Sequence, residues 1–120
     1  MHLKELMTSP VATIAPDSSL ADAARKMLKL DIGLLPVSDG QKIVGIVSDR
    51  DITIRAVAKG LDPERTPVRE VMSQEPKYVF EDEELEHVAD NMAQEQIRRL
   101  PVVNRNKRLV GIVSIGALLL

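Results

Sequence analysis

The 120-residue chain has no cysteine, no tryptophan, and only one tyrosine and one phenylalanine. Without cysteine, disulfides and thiolate metal sites are excluded. So few aromatic rings leave no platform on which single-stranded bases could stack. Neither sign of charge dominates: 16 Lys and Arg stand against 18 Asp and Glu, a formal net charge of −2. That balance gives no electrostatic reason to expect nucleic acid or an acidic membrane as partner. No apolar run is long enough to span a bilayer, and Met1-His2-Leu3-Lys4-Glu5 lacks the apolar stretch of a signal peptide. A cytoplasmic location is therefore expected. His2 and His87 are far apart and lack ligand-spaced partners, so no metal site is expected. The acidic run from Glu81 to Glu86 lacks the alternating donors and glycine of a calcium loop. With no nucleophile elbow, phosphate-loop lysine or His–carboxylate pair, the chain is not expected to be an enzyme.

What the chain does contain is one pattern written twice. Leu3-Lys4-Glu5-Leu6-Met7 returns as Val68-Arg69-Glu70-Val71-Met72, an offset of 65 (72 − 7). At that offset Asp17, Leu20, Met27 and Ile32 meet Asp82, Leu85, Met92 and Ile97, and Leu35-Pro36-Val37 meets Leu100-Pro101-Val102. One residue is then added before Val44-Gly45-Ile46-Val47-Ser48 returns as Val110-Gly111-Ile112-Val113-Ser114. A turn between two strands tolerates such an insertion. An internal repeat fixes the fold before other signals are weighed. At 44% hydrophobic and 28% charged the composition is globular.

Each copy reads as strand, helix, strand, strand, helix, giving an α/β fold with small sheets. Residues 1–61 form the first repeat, 62–67 a polar, Pro-rich linker, and 68–120 the second repeat. In the first, Val11 to Ile14 is β-prone, and Asp17 or Ser18 is positioned to cap a helix. Leu20, Ala23, Ala24, Met27 and Leu28 follow at helical spacing. Asp82 is the matching cap before Leu85, Val88, Ala89, Met92 and Ala93. Met7, Met27, Met72 and Met92 lie on apolar stripes and read as core filler. Leu34 to Val37 and Ile43 to Val47 are strands joined through Asp39-Gly40, and the second turn is Asn104-Arg105-Asn106-Lys107. The apolar strands around Gly45 and Gly111 are expected to be buried on both faces. A further helix runs from Asp49 to Gly60. Its counterpart stops at Leu120, so the final helix is short or truncated, or its apolar tail packs in a dimer interface.

The doubled Leu-Pro-Val, the doubled Gly-Ile-Val-Ser and the Ser48-Asp49-Arg50-Asp51 sequence resemble the cystathionine β-synthase (CBS) domain family. In that family two repeats pair about a pseudo-twofold axis into one Bateman module. The resemblance covers essentially the whole chain and is closest to small stand-alone bacterial and archaeal pairs. It implies a regulatory module that binds AMP, ADP, ATP or a related adenosyl ligand between the repeats, with no cofactor required and Mg²⁺ able to accompany ATP. It further implies a homodimer, and a protein effector that reads the change in orientation.

The resemblance assigns Ser48 to phosphate and Asp51 to the ribose hydroxyls, with Arg98 and Arg99 on the phosphates. A carboxylate can accept from two vicinal hydroxyls, and guanidinium groups bind phosphate through charge-assisted hydrogen bonds. Ile46, Lys77, Tyr78, Val79 and Ile97 are weaker assignments on the adenine side. The second cleft would use Thr13, Ile14, Gly33, Leu34, Ser114 and Ala117. There Ala117 replaces the ribose carboxylate, while Gly33 and Leu34 replace the two arginines, so one competent nucleotide site per chain is expected. Other readings stand beside these. Asp51 could be only a first-turn helix residue, Arg98 and Arg99 a solvated pair, and Tyr78 a packed core ring. Ser48 and Ser114 could serve as helix caps. The alternative function is a ligand-free dimeric interaction scaffold with the same fold.

Overall fold

Helix α1, Leu20–Leu30, starts where a short hydroxyl side chain satisfies its first turn. The residue that does so is Ser19, one beyond the expected Asp17 or Ser18. In the computed structural model, which describes residues 3–7, 11–40, 42–74, 77–95 and 99–114, Ser19 has extended backbone and its Oγ accepts from Asp22 N at 3.0 Å. Two further first-turn donors are satisfied from the segment read as a linker. Leu20 N donates to Thr66 O and Ala21 N to Pro63 O, both at 2.9 Å. Thr66 is buried, and its hydroxyl donates to Asp62 O at 2.7 Å. The linker is thus part of the fold around α1.

The strands follow the repeat closely. β1 (Leu34–Asp39) pairs antiparallel with β2 (Lys42–Ser48), and their register opposes Leu34 to Ser48. Gly40, at φ +65, supplies the left-handed turn residue between them. In the second copy β3 (Val79–Phe80) lies parallel to β4 (Arg99–Val103), which pairs antiparallel with β5 (Leu109–Ser114). Arg99 there opposes Ser114, the equivalent pairing. A bulge falls after Val37 in one copy and after Val102 in the other, the same repeat position. The expected leading strand of the first copy shrinks to one bridge, Ile14 to Val37, held by Ile14 N to Pro36 O and Ser38 N to Ile14 O.

Two expectations are corrected. Neither β2 nor β5 is buried on both faces: Ile43, Gly45 and Val47 in one, and Gly111 and Val113 in the other, are buried, while Val44, Ile46, Val110 and Ile112 are half-buried. Successive side chains of a strand point to opposite faces, and only one of the two faces is fully covered. Helix α3, Leu85–Glu95, begins three residues beyond Asp82, whose carboxylate instead takes a two-pronged bond from Arg105 at 2.7 and 2.9 Å. Helix α2, Asp49–Ile52, is one turn long and continues as a π-helical turn, Thr53–Val57, with Ala58 N reaching Thr53 O. Gly60, at φ +74, ends it, as expected. The matching final helix of the second copy lies outside the described residues.

The chain divides into two compact units, Ala12–Pro76 and Met1–Val11 with Lys77–Leu120. They are offset from the sequence repeats. Val68 and Val71 join Leu20, Met27, Leu35, Val37, Val47 and Ile52 in the first core. Leu3 joins Val79, Val88, Met92, Leu100, Val102 and Val113 in the second. The opening segment of each repeat therefore completes the core of the other. Met27 and Met92 are buried, and Met7 and Met72 pack against the cores, as their stripes imply. No helix among the described residues is long and apolar enough to cross a membrane.

Candidate functional site

The junction of β2 with α2 carries Ser48 and Asp51. Ser48 ends the strand in extended conformation, and its Oγ accepts from Asp51 N at 3.1 Å. Asp51 Oδ2 accepts in return from Ser48 N at 2.9 Å, completing a reciprocal capping box. This arrangement satisfies the reading of Ser48 as a cap and of Asp51 as a first-turn helix residue, but it does not exhaust their hydrogen-bonding capacity. Ser48 uses its oxygen as an acceptor and keeps its hydroxyl proton to donate. Asp51 commits one oxygen, while the other faces Arg55 Nε at 3.9 Å with the carboxylate side chain 17% exposed. Arg55, on the exposed side of the helix, also donates to Val71 O at 3.2 Å, which holds its guanidinium beside Asp51.

The glycine in β2 is required by a close approach. A Cβ on Gly45 would lie 2.9 Å from the Ser73 carbonyl oxygen and 2.5 Å from Met72 Sδ. Glycine lets the chain at Met72 and Ser73 come close enough for Ser73 to bond to Ile46. Both backbone polar groups of Ile46 are consumed there, which leaves only its half-buried side chain for a ligand.

The same unit holds Thr13, Ile14, Gly33 and Leu34. Leu34 opposes Ser48 in the strand register, and Gly33 O accepts from Asp49 N at 2.9 Å. A side chain at Gly33 would displace the Asp49 carboxylate, since a Cβ would sit 2.9 Å from its Oδ2. Lys26 donates to the Thr13 carbonyl. Asp49 was legible only as a member of the Ser48–Asp51 motif and Lys26 belongs to none, and neither is placed beside this edge by local sequence, because the contacts join segments remote in the chain.

In the other unit Val79 is buried, Lys77 is exposed, and Tyr78 is half-buried. The Tyr78 ring meets Phe80 edge-on, with centroids 5.8 Å apart and planes at 86°. Arg105 lies over Phe80 at 4.4 Å, and its bond to Asp82 raises the guanidinium pKa further. Tyr78 therefore has a packing role within its own unit. Arg99 is exposed at the start of β4, opposite Ser114 at the end of β5. Ile97, Arg98 and Ala117 lie outside the described residues. Among the described residues no group of acidic, histidine or cysteine side chains is arranged to hold a metal ion.

Comparison with known proteins identifies the family and the fold. The family model described as the CBS domain matches residues 3–57 and 68–120. The CBS domain-containing protein YhcV of Bacillus subtilis is 43% identical over 116 residues, covering 97% of this chain and 81% of that protein. The CBS domain protein PAE2072 from Pyrobaculum aerophilum, solved with AMP, superposes with a TM-score of 0.87 at 29% identity, covering 98% of this chain and 89% of the other. The CBS domain pair of protein MJ0100, solved with 5-methylthioadenosine and S-adenosyl-L-methionine, gives 0.84 at 31% identity, covering 98% and 91%.

Proposed function

Since this chain belongs to the CBS domain family and carries two such domains in tandem, we propose that it is a non-enzymatic regulatory module whose ligand is an adenine nucleotide. The observation that carries the reading is the capping box. It presents a hydroxyl that can still donate and a partly exposed carboxylate, three residues apart on one helix turn. Solved relatives with AMP or with S-adenosyl-L-methionine support the ligand class. In this reading the Ser48 hydroxyl donates to a phosphate oxygen, the ribose hydroxyls donate to Asp51, and Arg98 and Arg99 neutralise the phosphates. Ile46, Lys77, Tyr78, Val79 and Ile97 border the adenine. When ATP is the ligand, Mg²⁺ can accompany it.

The counterpart set, Thr13, Ile14, Gly33, Leu34, Ser114 and Ala117, lacks a ribose carboxylate and phosphate cations. Its edge instead carries the Asp49 carboxylate near Gly33, and Lys26 is engaged by the Thr13 carbonyl. Each charge-assisted hydrogen bond contributes about 1.5–3 kcal/mol, so losing several lowers affinity by orders of magnitude. One ligand per chain follows. The module acts as a homodimer. Ligand that prefers one orientation of the repeats biases the population an effector protein meets.

Calorimetric titration with AMP, ADP and ATP tests this. One equivalent per chain is expected, and saturation at about 100 times Kd adds about 2.7 kcal/mol of stability. Two equivalents would overturn the single-site assignment. No heat and no thermal shift in folded, ligand-free protein would favour the interaction scaffold.

A further inference from the structure

Arg55 has no ligand role in the reading above, yet its guanidinium lies between the Asp51 carboxylate and the backbone of a distant segment. Its Nε faces Asp51 Oδ1 at 3.9 Å, while its Nη1 donates to Val71 O at 3.2 Å. Val71 follows the helical turn Val68–Glu70 and is buried in the first core, so core packing fixes where that carbonyl stands. Arg55 itself sits in the π-helical turn Thr53–Val57, which closes where Ala58 N reaches Thr53 O at 2.9 Å. Single π turns inside helices occur frequently at functional sites. Ser48, Asp51, Arg55 and Val71 all belong to the one compact unit Ala12–Pro76.

The two oxygens of Asp51 are held differently. Oδ2 accepts from Ser48 N at 2.9 Å. Oδ1 is too far from Arg55 Nε for a hydrogen bond, so its lone pairs stay open while the attraction of opposite charges restrains its direction. We propose that Arg55 is a positioning residue for the ribose. Anchored on Val71 O, it holds the Asp51 carboxylate at the rotation that accepts from both vicinal hydroxyls, and so sets a preference for ribose over 2-deoxyribose. An acceptor already held in place loses little freedom when it binds, which a loose carboxylate would not match. Arginine suits the task because Nε and Nη1 lie in one rigid fork; a lysine ammonium is a single point and cannot meet both partners. The Arg55 side chain is 49% exposed against 17% for Asp51, and an ion pair open to solvent adds little stability. The effect of Arg55 is therefore on selectivity more than on folding. This inference rests on the Asp51–ribose reading above and adds what aims the carboxylate and which sugar it selects.

Calorimetric titration of AMP and 2′-deoxy-AMP into wild type, Arg55→Met and Arg55→Lys tests it, with thermal melts showing each protein folded. Arg55→Met removes the guanidinium and keeps a long apolar stem. Both substitutions should weaken AMP about fivefold and 2′-deoxy-AMP much less, so the ratio of the two affinities falls. An unchanged ratio in Arg55→Met, whether neither nucleotide weakens or both weaken alike, overturns the positioning role. A wild-type ratio in Arg55→Lys would mean that charge without the Val71 anchor is enough, and overturns the two-point hold. Wild-type protein that takes up no AMP fails the ligand reading and this inference together. AMP uptake that weakens in Asp51→Asn but keeps its selectivity in Arg55→Met leaves the ligand reading standing and fails this inference alone.

Discussion

Asp51 holds two roles in the proposed site, and two substitutions separate them. Asp51→Ala removes the acceptor for Ser48 N and breaks the capping box, while Asp51→Asn keeps an amide oxygen in the same place and removes only the charge. The Ser48 cap on the backbone N of residue 51 survives in both proteins, so alanine loses only the bond from Ser48 N, about 0.5–1.5 kcal/mol. For a chain of this size each kcal/mol lowers the melting temperature by roughly 3–5 °C. The alanine protein should therefore melt several degrees below wild type, and the asparagine protein close to it. Affinity should follow a different order. The ribose hydroxyls donate to a carboxylate, and a charge-assisted bond is worth about 1.5–3 kcal/mol against about 1 for a neutral one. Asp51→Asn should then bind AMP roughly tenfold more weakly, and Asp51→Ala more weakly still. Thermal melts and calorimetry on both proteins read these effects. Wild-type affinity in Asp51→Asn would remove Asp51 from the ribose, and an unshifted melt in Asp51→Ala would refute the structural role of the box.

Arg99→Ala should weaken AMP and ATP but leave adenosine binding unchanged, because adenosine has no phosphate; equal loss for all three in competitive titrations would remove Arg99 from the phosphate role. Gly45→Ala should destabilise the protein by about 1–3 kcal/mol in chemical denaturation, since the added methyl meets the fixed Ser73 carbonyl as well as Met72. Ser19→Ala should cost about 1 kcal/mol, and Ser18→Ala much less, because only Ser19 caps α1 with its side chain; equal losses in urea melts would contradict the assigned cap.

The sequence by itself determined the repeat, and through it the order of elements, the strand pairing and the family. Those features are local or periodic: buried Leu20, Ala23 and Met27 recur at helical spacing, and Asp39-Gly40 closes a hairpin whatever surrounds it. The positions of Ser48 and Asp51 were legible for the same reason, since they lie three residues apart on one turn. Tertiary structure alone decided the rest. Val68 completes the core of the first repeat and Leu3 that of the second, contacts between segments remote in sequence that no local pattern encodes. The cap of α1 fell on Ser19 rather than its neighbours because Thr66 and Pro63 fix where the first turn begins. Arg55 braces Asp51, Asp49 borders Gly33 and Lys26 holds the Thr13 carbonyl through distances that only the folded chain sets. Periodicity tells which face of an element is apolar; it does not tell which distant segment covers that face, because that depends on the free energy of the whole packed core.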